Sequence, residues 1–122
     1  MNYILLVYSA EGPVEGKHDS PDACLKQSEQ LIREGKMLDG AILHGTDCAT
    51  SVQVRQGQRM VTDGPFAETR EQLAGYMIVD VENLDEAIAI AGSHPAAGWG
   101  TVEIRPFSLP PMTLRRPEAA QK

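Results

Sequence analysis

Two stretches of helical periodicity, each set between short β-prone runs, restrict this chain more than any other feature of its sequence. The first lies between Pro21 and Glu34, where Cys24, Leu25, Leu31 and Ile32 mark one face with Ser28 between them. Ser20 is placed to cap it, Pro21 takes the first helical position, Asp22 suits the helix dipole and Gly35 ends it. The second follows Asn83, whose partner in a capping-box-like pair is Glu86. It repeats Leu84, Ala87, Ile88 and Ala91 at i, i+3, i+4 and i+7 until Gly92 and Pro95 stop it.

The runs around these helices read as strands. Tyr3 to Tyr8 is continuously apolar, which predicts a central strand covered on both faces. Met37 to Leu43 carries Gly40 inside it, the mark of a bulge or of a close backbone approach. Val52 and Val54 alternate with Ser51, Gln53 and Arg55, and after a turn at Gly57 the chain resumes with Met60 and Val61, which predicts a hairpin. Tyr76 to Val81 and Thr101 to Arg105 are the last two strands, the latter turning Val102 and Ile104 to one side.

Strand, helix, strand, hairpin, strand, helix, strand is an α+β order: a ferredoxin-like split βαβ arrangement with an extra β-hairpin. Its two helices cover one face of the sheet. A second copy of the chain is the simplest cover for the other, so a homodimer packed sheet to sheet is expected.

The 122 residues fit one domain, taken as 1–107, followed by an extended, Pro-containing tail over 108–122. A net charge of −6 argues against a nucleic-acid surface, which needs clustered Lys and Arg. Cys24 and Cys48 have neither metal-ligand nor disulfide-framework spacing and read as reduced thiols of a cytoplasmic protein. The six-residue apolar run near the N-terminus predicts neither a signal peptide nor a membrane span. His18, His44 and His94 show no ligand spacing, so no metal is expected, and no glycine-rich phosphate loop calls for a nucleotide cofactor.

The stretch VTDGPFAETREQLAGY, Val61 to Tyr76, carries the most specific signal. Its tetrapeptide Asp63-Gly64-Pro65-Phe66, followed by AET and EQLAGY, resembles the DGPF-motif branch of the YCII-related proteins, and the likeness runs from MNYILLVY to VEIRP. The resemblance implies a dimeric α+β barrel. It also implies small lyase or isomerase chemistry on hydroxylated aromatic substrates, which the wider family performs with a His on the first helix and the Asp of an Asp-Pro motif after the second. Here the Asp-Pro position reads His94-Pro95, no His lies between Pro21 and Glu34, and His18 precedes that helix. Relatives encoded beside extracytoplasmic-function sigma factors imply a different role, that of a non-enzymatic regulatory or interaction module.

The expected function is therefore binding of a small organic molecule, with cofactor-independent acid–base turnover as its enzymatic form. His94 is the expected proton-transfer group, because imidazole exchanges a proton near neutral pH; its structural alternative is a helix C-terminal His favoured by the dipole. Asp63 is the expected orienter or second acid–base group, or else a turn residue bonded to its own backbone. Tyr76, Arg105 and His44 are expected ligand contacts, with Arg105 also able to hold Asp63 in a bidentate pair. Phe66 is expected to anchor the DGPF corner, Thr69 to Gln72 to form a short helical turn, and Trp99 to act as a hydrophobic plug.

Overall fold

A computed structural model describes residues 1–13 and 22–112 of the chain. Six strands and two helices alternate as β1 (Asn2–Ala10), α1 (Asp22–Arg33), β2 (Met37–Ile42), β3 (Thr50–Arg55), β4 (Gln58–Asp63), β5 (Glu71–Asp80), α2 (Leu84–Ser93) and β6 (Gly100–Pro106). The strands form a four-stranded antiparallel sheet in the order β2-β5-β1-β6 and a separate β3-β4 hairpin. This is the expected α+β arrangement, with the hairpin between its two βαβ halves. Ser20, Pro21 and the tail beyond Met112 lie outside the described residues.

Local signals account for most of the boundaries. Asn83 caps α2 by accepting from the Glu86 N–H at 3.0 Å, and Glu86 reaches back to the Glu82 N–H. Gly35, at φ +71°, ends α1, where its N–H and that of Lys36 return to the carbonyls of Ile32 and Leu31. Gln56 and Gly57, both at positive φ, make the two-residue turn of the hairpin.

β1 alternates along its whole length, with Tyr3, Leu5, Val7 and Ser9 buried beneath the helices and Ile4, Leu6 and Tyr8 only half-buried on the other face. The continuous apolar run is thus a central strand covered on one face, not on both. Leu5 and Val79 are wholly enclosed, joined by Met77, Leu31 and the α2 residues Ala87, Ile90 and Ala91. The buried stripe of α2 is therefore Ala87, Ile90 and Ala91; Leu84 and Ile88, expected on that face, are each 49% exposed. On α1, Leu31 alone enters the core, while Leu25 and Ile32 stay exposed.

Gly40 combines both of the features foreseen for it. A register shift falls between Met37 and Asp39, and a Cβ on Gly40 would meet the Tyr76 carbonyl oxygen at 2.9 Å as well as the Met37 methyl group. Because the neighbour in the way is backbone of a central strand, relief requires the strands to part. Gly40→Ala is expected to lower stability by about 1–3 kcal/mol, read as a lower urea midpoint with the far-ultraviolet dichroism of the native state unchanged.

Candidate functional site

A second irregularity shapes the site. Val7 lies opposite Gly75 but Tyr8 lies opposite Leu73, so Ala74 is an extra residue in β5. Before the bulge Val79, Met77 and Gly75 face the helices; after it, Gln72 takes that face beside Ser9, and Leu73 and Glu71 turn outward with Tyr8 and Ala10. The Ala74 carbonyl also accepts from the Leu43 N–H, which draws the segment after β2 against the end of β5.

Two adjoining clefts result. The first, of about 630 Å³, lies on the helix side between α1, the bulged end of β5 and the segment after β2. Leu25, Ile32, Met37, Leu43 and Trp99 form much of its apolar wall, which gives the exposed face of α1 a purpose that the core does not. Its polar groups are Ser9, Glu11, Cys24, Ser28, His44, Gln72 and His94. The second, of about 650 Å³, lies on the outer side between Tyr8, Glu71 and the DGPF corner, and shares Leu43, His44, Gly45, Gln72 and Leu73 with the first.

His94 is 7% exposed, the one imidazole among the described residues that folding encloses. It ends α2 and begins a 3₁₀ turn over Pro95–Gly98, where its Nδ1 accepts from the Ala96 N–H at 3.0 Å. That bond requires a lone pair on Nδ1, so the neutral ring carries its proton on Nε2. Nε2 has no hydrogen-bond partner among the described residues and is not among their sealed, unbonded polar atoms, and His94 lines the first cleft. Burial pushes the His94 pKa below its ordinary value. His94 thus stands at the C-terminus of α2, where its structural alternative puts it, but burial acts against the cation that the helix dipole favours there.

Cys24 and Glu11 line the first cleft, and Gln27 lies behind it. Burial pushes the Cys24 thiol up, keeping it protonated and a poor nucleophile. The Glu11 carboxylate accepts from the Thr46 N–H at 2.7 Å and from the Thr46 hydroxyl, tying the end of β1 to the segment after β2. Gln27 of α1 donates to the Ile90 carbonyl and the Ser93 hydroxyl just before His94, and its Oε1 is buried without a partner among the described residues. Sequence patterning did not single out Glu11 or Gln27, and placed Gln72 in a short turn and not on a cleft wall. Gly75, within the EQLAGY signature, was the local hint of irregular backbone near Gln72.

His44 lines both clefts, whereas Tyr76 belongs by register to the outer row with Leu6 and Ala41 and borders the first cleft only along its strand. Arg105 is exposed on the outer face opposite Ile4 and makes no ion pair with Asp63. Asp63 is exposed at the end of β4, lines neither cleft, and its carboxylate has no bonding partner among the described residues. The corner is held instead by backbone: Gly64, at φ +111°, donates to the Ala49 carbonyl at 2.7 Å, and its own carbonyl accepts from the Ser51 hydroxyl at 2.7 Å. Phe66 does not anchor it, being 86% exposed, and lines the second cleft. The stretch from Thr69 to Gln72 is not helical; the Thr69 hydroxyl donates to the Glu71 carbonyl, and the Gln72 amide donates back to the Ala67 and Thr69 carbonyls.

Comparison with known proteins agrees with this architecture. Residues 1–108 match the YCII-related domain. The chain belongs to the YCII-related family. An uncharacterized protein of Rhizobium meliloti is 32% identical over 116 residues, spanning 89% of this chain and 94% of that one. Among solved structures, the 5-chloro-2-hydroxyhydroquinone dehydrochlorinase of Burkholderia phenoliruptrix, in complex with 2,5-dihydroxybenzoquinone, superposes with a TM-score of 0.55. That match covers 88% of this YCII-related chain and 94% of the other at 16% identity, a likeness of fold.

His94 also gives the fold a pH signature. Its pKa is lowered on folding, so the unfolded chain binds the extra proton first, and the stabilisation present above the ordinary value of 6.5 is lost as the pH falls through the folded pKa. Glu11, Cys24, His44 and Tyr76 are the other titratable groups on the cleft wall. Asn at position 94 keeps an oxygen to cap the Ala96 N–H but does not titrate. Between pH 7 and 5 the urea midpoint of the native protein is expected to fall more steeply than that of His94→Asn.

Proposed function

We propose that the first cleft binds a small, mainly apolar organic molecule, with His94 as its polar anchor. The observation that carries this reading is an enclosed imidazole on the wall of a concave apolar chamber of ligand size, fixed by its own turn and with Nε2 unbonded among the described residues. The ligand complex of the dehydrochlorinase, on the same fold, supports a small organic molecule as the ligand class.

In its enzymatic form the site works as a cofactor-independent lyase or isomerase. With Nδ1 accepting from the Ala96 N–H, His94 acts by donating its Nε2–H to a substrate oxygen that gains negative charge, and the Glu11 carboxylate of the same cleft takes up and returns the proton. Asp63 does not enter that chamber in its own subunit, so we assign it to the DGPF corner and the chain to the DGPF branch on that tetrapeptide. The exposed hairpin residues Val52, Val54, Met60 and Val61 favour an interaction surface as the alternative reading, that of a regulatory module.

A homodimer belongs to either reading. Ile4, Leu6, Tyr8, Tyr76 and Ile78 are half-buried on the uncovered sheet face, and a twofold partner would cover them. Sedimentation equilibrium is expected to give about twice the 13.3 kDa chain mass; a monomer at micromolar concentration would remove the dimer.

A thermal-shift screen of hydroxylated aromatics and small ketones is expected to yield ligands that raise the Tm of the native protein and raise it much less for His94→Asn. Ligands that stabilise both proteins equally would place binding elsewhere, and an absence of stabilising ligands would count against the cleft as a binding site.

A further inference from the structure

We infer that the first cleft selects uncharged ligands presenting a carbonyl oxygen, of the ketone, ester or amide kind, to the Nε2–H of His94. This rests on the proposed cleft site and adds the chemical class that the site prefers.

Three observations carry it. The Ala96 N–H occupies Nδ1, so the outward nitrogen of the neutral ring is a hydrogen-bond donor and has no lone pair to offer. Its natural complement is an acceptor. Second, Nε2 is unpartnered among the described residues although the rest of the ring is enclosed, so a ligand acceptor there satisfies a donor that folding leaves open. Third, the described wall contains no Lys or Arg, and its carboxylate is that of Glu11, which gives a carboxylate or phosphate no counter-charge to offset its desolvation. Burial opposes the imidazolium that would otherwise supply one.

The apolar remainder of the wall does not discriminate among ring systems of similar size, since Leu25, Ile32, Met37 and Leu43 offer contact area without direction. Direction comes from His94. Cys24, kept as a thiol, and the hydroxyls of Ser9 and Ser28 provide weak secondary contacts. Together these features describe a greasy chamber with one oriented donor.

The test uses three probes on one ring frame: 1-tetralone, tetralin and 1-naphthoate. Binding to the full chain is measured by ligand-observed NMR titration, for the native protein and for His94→Asn, whose side-chain oxygen keeps the Ala96 cap. In the native protein 1-tetralone is expected to bind about three- to tenfold tighter than tetralin, the worth of one net hydrogen bond, and 1-naphthoate more weakly than either. In His94→Asn, 1-tetralone is expected to fall to the level of tetralin while tetralin is unchanged.

Equal binding of tetralone and tetralin to the native protein would overturn the donor role and leave the cleft as a binding site. Tightest binding of 1-naphthoate would overturn the selection for uncharged ligands. Failure of all three to bind would overturn the cleft reading itself, and this inference with it. An independent readout is the ¹⁵N spectrum of labelled His94 near neutral pH: a proton on Nε2 alone supports the inference, and a proton on Nδ1 overturns it.

Discussion

The extra residue at Ala74 is the constraint on which the site depends. A strand alternates its side chains with a period of two, so one inserted residue exchanges the faces of everything beyond it. Without the bulge Leu73 would continue the core row of Val79, Met77 and Gly75. With it, Gln72 turns toward the helices and Leu73 turns away. The core ends there, and the space beyond opens as a cleft with Ser9 and Gln72 on its floor. The Ala74 carbonyl meanwhile accepts from the Leu43 N–H, and Glu11 fastens Thr46, so the segment carrying His44 is held at both ends across the cleft mouth.

At the opposite wall, His94 is prepared by a competition between helix ends. It stands where α2 stops, which favours a cation, and where the next 3₁₀ turn begins, which favours an acceptor. An imidazole can satisfy only one of these demands at Nδ1. Its enclosure decides the matter, because an ion buried there would lose hydration without gaining a counter-charge. The sequence resemblance puts a carboxylate at this position in the wider family. A carboxylate is an acceptor at physiological pH, whereas this imidazole turns a donor outward. On the proposed reading, a ligand would meet a donor here and not an acceptor.

The parts of this fold that could be read from sequence are those whose cause is local. Asn83 caps α2 because its side chain reaches an N–H three residues away; Gly35 ends α1 because it accepts positive φ; Val102 and Ile104 face the core because a strand alternates. The stripe Ala87, Ile90 and Ala91 was less legible. It shares two members with Leu84, Ala87, Ile88 and Ala91, and only the rotation of the helix against the sheet chooses between them. Phe66 was illegible for a related reason: an aromatic at a turn suggests an anchor, but the corner is closed by Gly64 and Ser51 and the ring stays 86% exposed. At the site, His94 and His44 were legible by residue type. Their separation from Asp63 was not, because no spacing along the chain shows that β4 carries Asp63 out on a hairpin of its own.

That hairpin and the uncovered sheet face raise the same energetic question. An isolated two-stranded ribbon is marginal in water, and this one exposes Val52, Val54 and Val61 along one side. The outer sheet face is apolar at Ile4, Leu6 and Ile78 but carries an ionisable cluster toward β6. There burial and the Glu103 carboxylate push the Tyr8 phenol up, with the Arg105 guanidinium opposing the shift. A partner laid across this face would gain area from the first group and meet a directional, charged boundary at the second. Buried apolar area supplies affinity, while the polar edge penalises registers that leave Glu103 or Arg105 without water or an opposite charge. The second cleft borders Tyr8 and the hairpin base, so a partner seated there would also form one of its walls. The geometry of that cleft would then be set between subunits, whereas the chamber facing His94 is assembled within one.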